Sequence, residues 1–339
     1  MSTAFVTGAT GLLGSNLVRL LLKQGYQVKA LARSREKAHR QFASEKEISA
    51  LTVIEGDMAQ IDQFAAALQG CDVVFHTAAY FRESYRGGRH WAELQAINVD
   101  GTRQLIEAAY QAGVRKFIHT SSIAVLDGPR GGLIDETMIR DEADADDYYR
   151  SKILSDRAVA EALDRYPDLF ACFILPGWMH GPGDLGPTSA GQFTLDYLHG
   201  RLPGVPPGTF AFVDARDVAH ALIIAAEKGR RGERYLAAGR HVAMRDLMQC
   251  YAQVTGIAAP KRVIPPAVLW VVAGFQELSA RLMGKSALMG LATVRLMLRE
   301  ADRTRFDHRK SEHDLGLSFR PIHETIADEV TWLRNAEPA

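Results

Sequence analysis

Three glycines spaced three apart close the first apolar run of this chain, and they constrain most of what can follow. Thr3-Ala4-Phe5-Val6-Thr7 runs into Gly8-Ala9-Thr10-Gly11-Leu12-Leu13-Gly14, and Leu17, Val18, Leu20, Leu21 and Leu22 continue at helical spacing. This is a strand, a tight turn and a helix whose turn admits a pyrophosphate to the backbone. Gly8 permits the turn, Gly11 leaves room for phosphate, and Gly14 lets helix pack on strand. The free N–H groups and positive partial charge of the helix start suit an anion. The spacing is G-x-x-G-x-x-G and not the commoner G-x-G-x-x-G.

Strand-like and helix-like segments alternate from here through two thirds of the chain. Strands are expected at Val28–Ala32, Leu51–Glu55, Asp72–His76, Val114–Thr120 and Phe170–Leu175. Helices are expected after Gly14, around Ile61–Leu68, over Leu94–Ala112 with Gly113 closing it, and over Tyr148–Arg165. Apolar strands alternating with amphipathic helices predict an α/β fold, a doubly wound parallel sheet of Rossmann type. After about Pro176 the chain turns Gly- and Pro-rich to Gly208, then mostly helical, with short strands near Phe210–Val213 and Arg234–Ala238. The expected division is a dinucleotide-binding domain over 1–176, with a further strand and helix from about 209–230. A smaller, mostly helical C-terminal substrate lobe takes 177–208 and 231–339. Asp135–Asp147 reads as a solvated acidic loop.

The 339 residues suffice for a large core. Forty basic against forty acidic residues leave no formal net charge, which argues against nucleic acid or an anionic membrane as main partner. Cys71, Cys172 and Cys250 are isolated, with no metal-ligand spacing, and no metal is expected. They fit a reducing cytoplasm. No leader is expected ahead of the first strand, and the apolar stretch Val263–Phe275 holds two prolines and is too short to span a bilayer.

In an open parallel sheet, ligands bind beyond the carboxyl ends of the strands. The second strand ends at Ala32-Arg33-Ser34, where the ribose of a dinucleotide would lie. A guanidinium there suits a 2′-phosphate, and Arg35 and Lys37 follow, so NADP is favoured over NAD. The third strand ends at Gly56-Asp57-Met58, where Asp57 could accept from an adenine amino group or cap a turn. The small residues Thr77-Ala78-Ala79 end the fourth strand, and Thr120-Ser121-Ser122 the fifth. Tyr148 and Lys152 stand at i and i+4 on one helix face. A nearby ammonium lowers the pKa of a tyrosine, making Tyr148 a general acid toward a carbonyl oxygen.

Together these motifs resemble an extended short-chain dehydrogenase/reductase. The matching signs are Thr7-Gly8-x-x-Gly11-x-x-Gly14, Gly56-Asp57, His76-Thr77-Ala78-Ala79, Asn98-Val99-x-Gly101-Thr102, Thr120-Ser121-Ser122, Tyr148-x-x-x-Lys152 and Pro176-x-x-x-x-Gly181-Pro182-Gly183-Asp184. Asp214 to Ala219 and the ending Leu315-Gly316 to Trp332 extend the likeness over nearly the whole chain. Within the family the chain looks most like the dihydroflavonol-4-reductase-like branch. The resemblance implies reduction of an aldehyde or ketone by NADPH, with Tyr148 as acid, Lys152 as its partner and ribose ligand, and Ser122 as carbonyl orienter. Ser121 is the lesser candidate. The implied cofactor-binding set is Gly8, Thr10, Gly11, Leu12, Leu13, Gly14, Arg33, Asp57, Met58, Thr77, Ala78, Ala79, Asn98, Tyr148, Lys152 and Pro176.

Sugar-nucleotide members commonly carry Arg before that proline; here it is Leu175-Pro176. An NDP-sugar epimerase or dehydratase with a retained dinucleotide is the second reading, and an NADP-binding sensor the third. A steroid dehydrogenase or isomerase is a further one, given the apolar Val268 to Val272. Phe81, Tyr85, Trp91, Trp178 and His180 are candidate lining residues for a small-molecule carbonyl substrate. Family members commonly dimerise through the helices at 94–112 and 148–165, whose apolar residues exceed one stripe's need, so a homodimer is expected.

Overall fold

The computed structural model describes residues 2–81, 90–283 and 291–336. Its strands are β1 (Thr3–Thr7), β2 (Gln27–Ala32), β3 (Leu51–Glu55), β4 (Val73–His76), β5 (Lys116–Thr120), β6 (Phe170–Pro176), β7 (Trp178–His180), β8 (Thr209–Asp214), β9 (Arg234–Ala237) and β10 (Arg240–Ala243). Its helices are α1 (Leu12–Lys23), α2 (Arg35–Phe42), α3 (Trp91–Leu94), α4 (Gly101–Gln111), α5 (Asp147–Arg165), α6 (Ser189–Leu198), α7 (Ala215–Lys228), α8 (Met244–Thr255), α9 (Pro266–Met283), α10 (Leu291–Arg299), α11 (Arg309–Leu315) and α12 (Ile322–Ala336).

Among the described residues seven strands form one sheet in the order β3-β2-β1-β4-β5-β6-β9. Every pairing in it is parallel. The order reverses between β1 and β4, so the crevice at that switch point opens beside the glycine turn. Phe5 and Val6 of β1 are fully buried, as a central strand covered on both faces requires. On one face Leu17, Leu21 and Val18 of α1 pack with Val218 and Leu222 of α7. Complete burial of each such leucine contributes about 1.5–3 kcal/mol. On the other face Leu105 and Ile106 of α4 meet Ile153 and Val159 of α5.

Local chemistry sets the element ends. Ser34 caps α2 by accepting from the Lys37 N–H at 3.2 Å, and Asp146 caps α5 by accepting from the Tyr149 N–H at 2.8 Å. Gly25, with φ +82, takes the left-handed conformation just past α1.

Several expectations need correction. Ile61–Leu68 is two 3₁₀ turns, Ile61–Gln63 and Ala65–Leu68, broken at Phe64, whose ring is buried against Phe5. The helix expected over Leu94–Ala112 is α3, a π-helical turn at Gln95–Asp100, and α4. β9 belongs to the main sheet, beside β6, and not to the substrate lobe. β8 leaves the main sheet and pairs with β7 and β10, while α7 returns to pack on α1. The segment 135–147 is not simply solvated, since Glu136 and Arg140 are buried. Arg140 donates to the carbonyls of Ala124 and Leu126 and to Glu300. The surplus apolar residues expected on α4 and α5 are largely internal: Leu105, Ile106, Ala109, Ile153, Val159 and Leu163 are all buried in the chain's own core.

The lobe has its own core, where Phe212, Tyr197, Leu247, Tyr251, Ile326 and Val330 come together. Leu269, Ala273 and Val294 join α9 to α10 in a small separate cluster. No helix among the described residues is long and apolar enough to cross a membrane.

Candidate active site

The glycine turn is built by contact distances. Gly8 has φ +64, and a Cβ there would lie 2.8 Å from backbone atoms of Ala78. A Cβ on Gly14 would lie 2.2 Å from the Gly8 carbonyl oxygen, so helix and turn touch backbone to backbone. Gly11 is the exposed N-cap of α1; its side of the helix has no side-chain cap and no acid in its first turn. The leading N–H groups of Leu12 and Leu13 are thereby left to an anion, while both side chains are buried beneath. Thr10 is half-buried beside them.

The Thr7 hydroxyl fastens the next strand end, accepting from the N–H groups of Thr77 and Ala78 at 3.1 Å each. The Thr77 hydroxyl donates to the Thr7 carbonyl at 2.7 Å. Ala79, beyond them, is exposed. At the end of β2, Arg33 is exposed and forms no ion pair among the described residues. Its neighbours are occupied: Ser34 caps α2, and Arg35 pairs with Glu55 at 3.0 Å. Asp57 spends one carboxylate oxygen on the Ala59 N–H at 2.9 Å, the turn-capping alternative, and Met58 is buried beneath Gly101. A cradle that a Cβ would fill, an uncapped helix start and an unpaired cation fit a dinucleotide.

At the end of β5 the two serines part. Ser121 is buried and donates to Asp156 at 2.9 Å. Ser122 caps a short 3₁₀ turn, accepting from the Ala124 N–H at 3.1 Å, and is hydrogen-bonded to Tyr148. The Phe81 ring stands 4.7 Å from that of Tyr148, centroid to centroid. One turn along α5, the Lys152 ammonium donates to the Thr120 carbonyl at 2.7 Å. Ser122, Tyr148 and Lys152 thus converge at one strand end.

The electrostatics differ from the expected pattern. Burial pushes the Tyr148 hydroxyl above the ordinary phenol value, the bond with Ser122 opposing it and Asp146 adding to it. Lys152 does not lower it here, because its ammonium is turned to Thr120. Burial instead lowers Lys152 to about 8, with Asp156 acting in the opposite direction. Tyr148 is a neutral proton donor at pH 7 through desolvation.

Asp156, which sequence reading missed, stands behind this group at i+4 from Lys152. It is buried, 3.2 Å from His119 and 3.7 Å from Arg234. Burial acts to raise its carboxyl, but His119, Arg234 and Lys152 hold it below the usual carboxylate range. The repeat Tyr148, Lys152, Asp156 was the available signal. Asn98 is buried and spends its side-chain amide on the protein itself. From the π turn it accepts from the Tyr80 N–H at 2.7 Å and donates to Ser151 at 2.9 Å, tying the segment after β4 to α5.

Of the expected lining residues, Phe81 reaches Tyr148. Trp91 packs under the Arg150 guanidinium, 4.5 Å from its ring centre. Trp178 instead packs in the lobe with Phe193 and Phe210. His180 is fully buried, 3.0 Å from Glu329, and lines nothing. Tyr85 lies outside the described residues. Pro176 ends β6 beside Ala237, and Gly177 follows where a Cβ would meet the Ala238 and Ala211 carbonyls at 2.4 and 2.5 Å. The Pro182-Gly183 turn is tied to α1 and α2: Asn16 and Gln41 donate to the Pro182 and Gly183 carbonyls at 2.8 Å each.

A family model, that of the NAD dependent epimerase/dehydratase family, matches residues 4–238. The chain belongs to this family. It is similar to sterol demethylase protein B of Methylococcus capsulatus, 34% identical over 98% of this chain and 98% of that protein. A putative dihydroflavonol 4-reductase of Synechocystis is 29% identical over 98% of this chain and 94% of its own length. Among solved structures, yeast methylglyoxal/isovaleraldehyde reductase Gre2 complexed with NADPH superposes with a TM-score of 0.77, covering 98% of both chains at 21% identity. Family membership makes this an enzyme of nicotinamide-dinucleotide chemistry.

Proposed function

We propose that the chain is an NADPH-dependent oxidoreductase that reduces an aldehyde or ketone to an alcohol, with Tyr148 as proton donor. The carrying observation is the Ser122–Tyr148 hydrogen bond at the end of β5, with buried Lys152 one helical turn on. When bound, the nicotinamide supplies hydride to the carbonyl carbon. Tyr148 gives its hydroxyl proton to the carbonyl oxygen, and Ser122 holds that oxygen in place. Lys152 is turned to Thr120 in the resting site, and on proton transfer its ammonium, one helical turn away, swings to the phenolate and stabilises it until a proton returns. Arg33 favours the 2′-phosphate of NADPH.

The same groups run in reverse on an alcohol, and the name of the 34% identical relative points to an apolar, ring-bearing substrate for that direction. Leu175 before Pro176 gives no cation for a nucleotide-sugar phosphate, which favours an apolar substrate over an NDP-sugar. The test is NADPH consumption against a panel of aldehydes, ketones and sugar nucleotides. Stoichiometric NADP⁺ formation with a carbonyl compound supports the reading. Conversion of a sugar nucleotide with no net cofactor turnover would sink it.

A further inference from the structure

The zero net charge of the chain conceals a local segregation. Between Lys261 and Arg299 the sequence carries six basic residues against the single acid Glu277. The same stretch holds the most exposed large apolar side chains among the described residues, Val271 at 73% and Phe275 at 71%. Val268, Val271 and Phe275 recur at i, i+3 and i+7, so they form one outward stripe of α9. The opposite stripe, Leu269 and Ala273, is buried against Val294. Lys261, Arg262 and Arg295 are exposed and form no ion pair among the described residues. Lys261 and Arg262 also line a groove of about 470 Å³, whose walls include Tyr197, Leu202 and Pro260.

We infer that the outward stripe of α9 and its basic flank form a docking surface for an anionic lipid bilayer. An exposed apolar stripe this large marks an interaction surface. A helix that is apolar outward and flanked by cations lies in the headgroup region, its side chains in the acyl boundary and its cations on acidic lipids. Charge decides the occupant. A second copy seated on this face would bring Lys261, Arg262 and Arg295 against their own counterparts, a repulsive arrangement for a two-fold contact. A bilayer also holds substrates of the apolar class proposed above, but the binding requires none, so its test stands apart from that of the reaction.

Flotation of the full chain with phosphatidylcholine vesicles, with and without phosphatidylglycerol, tests this. Binding is expected to the phosphatidylglycerol vesicles and to weaken in high salt. The pair Val271→Glu and Phe275→Glu should reduce it roughly tenfold or more. Lys261→Glu with Arg262→Glu should reduce it by a similar factor while leaving the apolar stripe intact. Failure of the wild-type chain to bind either vesicle overturns the proposal, as does binding that neither double variant changes. A dimer in sedimentation that the Val271→Glu and Phe275→Glu pair dissociates also overturns it, by making the face an interface between copies. All four side chains are exposed, and a thermal melt of each variant confirms that it is folded.

Discussion

Burial secures the Tyr148 proton and loosens that of Lys152, and each gives a separate test. Tyr148→Phe removes the donor and almost no volume, so turnover should fall at least about a hundredfold with NADPH affinity nearly unchanged. Tyr149→Phe should be mild, since the Tyr149 ring faces the Arg140 guanidinium at 4.9 Å. Stopped-flow turnover and cofactor titration on both variants decide the register. Lys152, lowered to about 8, is charged below that pH and neutral above it. Reduction should therefore decline as pH rises through about 8. Tyr148, pushed above the phenol range, contributes no limb there. A rate flat from pH 7 to beyond 9 would count against the role given to Lys152. At β2, Arg33→Asp should reverse a preference for NADPH over NADH, as read by titrating both cofactors; equal wild-type affinities would remove the argument.

At the scale of elements, α1 and α5 carry the site, and each depends on one tight feature. Gly14→Ala places a methyl group on the Gly8 carbonyl. It should cost about 1–3 kcal/mol, read as a lowered denaturation midpoint, and weaken cofactor binding with it. Unchanged stability would mean that α1 slides freely on β1. The glycine turn, the strand ends and the Tyr148–Lys152 pair are legible in sequence because each is local: a spacing, a run, an i+4 repeat. What reading misses is set by distant partners. β9 has only four residues, and nothing in them shows that Tyr235 pairs with Ile174. His180 reads as a lining residue until Glu329, far along the chain, is seen to hold it. The π turn at Gln95–Asp100 is likewise invisible to a 3.6-residue periodicity, although it presents Asn98 to both Tyr80 and Ser151.

At the scale of the whole molecule, buried histidines tie stability to pH. Burial lowers His76 well below its ordinary value, lowers His119, and brings His308 to about 4. An unfolded chain protonates these rings near pH 6.5 while the folded chain does not. Stability is thus complete above about 6.5 and lost progressively as pH falls toward 4. Calorimetry should show the melting temperature dropping across that window, and a constant one would contradict the burial. The proposed homodimer through α4 and α5 has little apolar surface left to use, chiefly Ile97, Leu154 and Ala160, with Arg103–Glu161 at its edge. Ala160→Glu is accordingly the useful probe by light scattering, because Ala109 is internal and its replacement would disturb the fold.

The junction at Gly177 sets how the two cores can move. β6 belongs to one sheet and β7 to the other, and a single residue joins them, wedged between carbonyls from both. With no slack at that point, the lobe has no long tether on which to swing there. Its floor is registered to the cofactor crevice like a drawer on a rail, with β7 held in parallel register on β8 just past the end of β6.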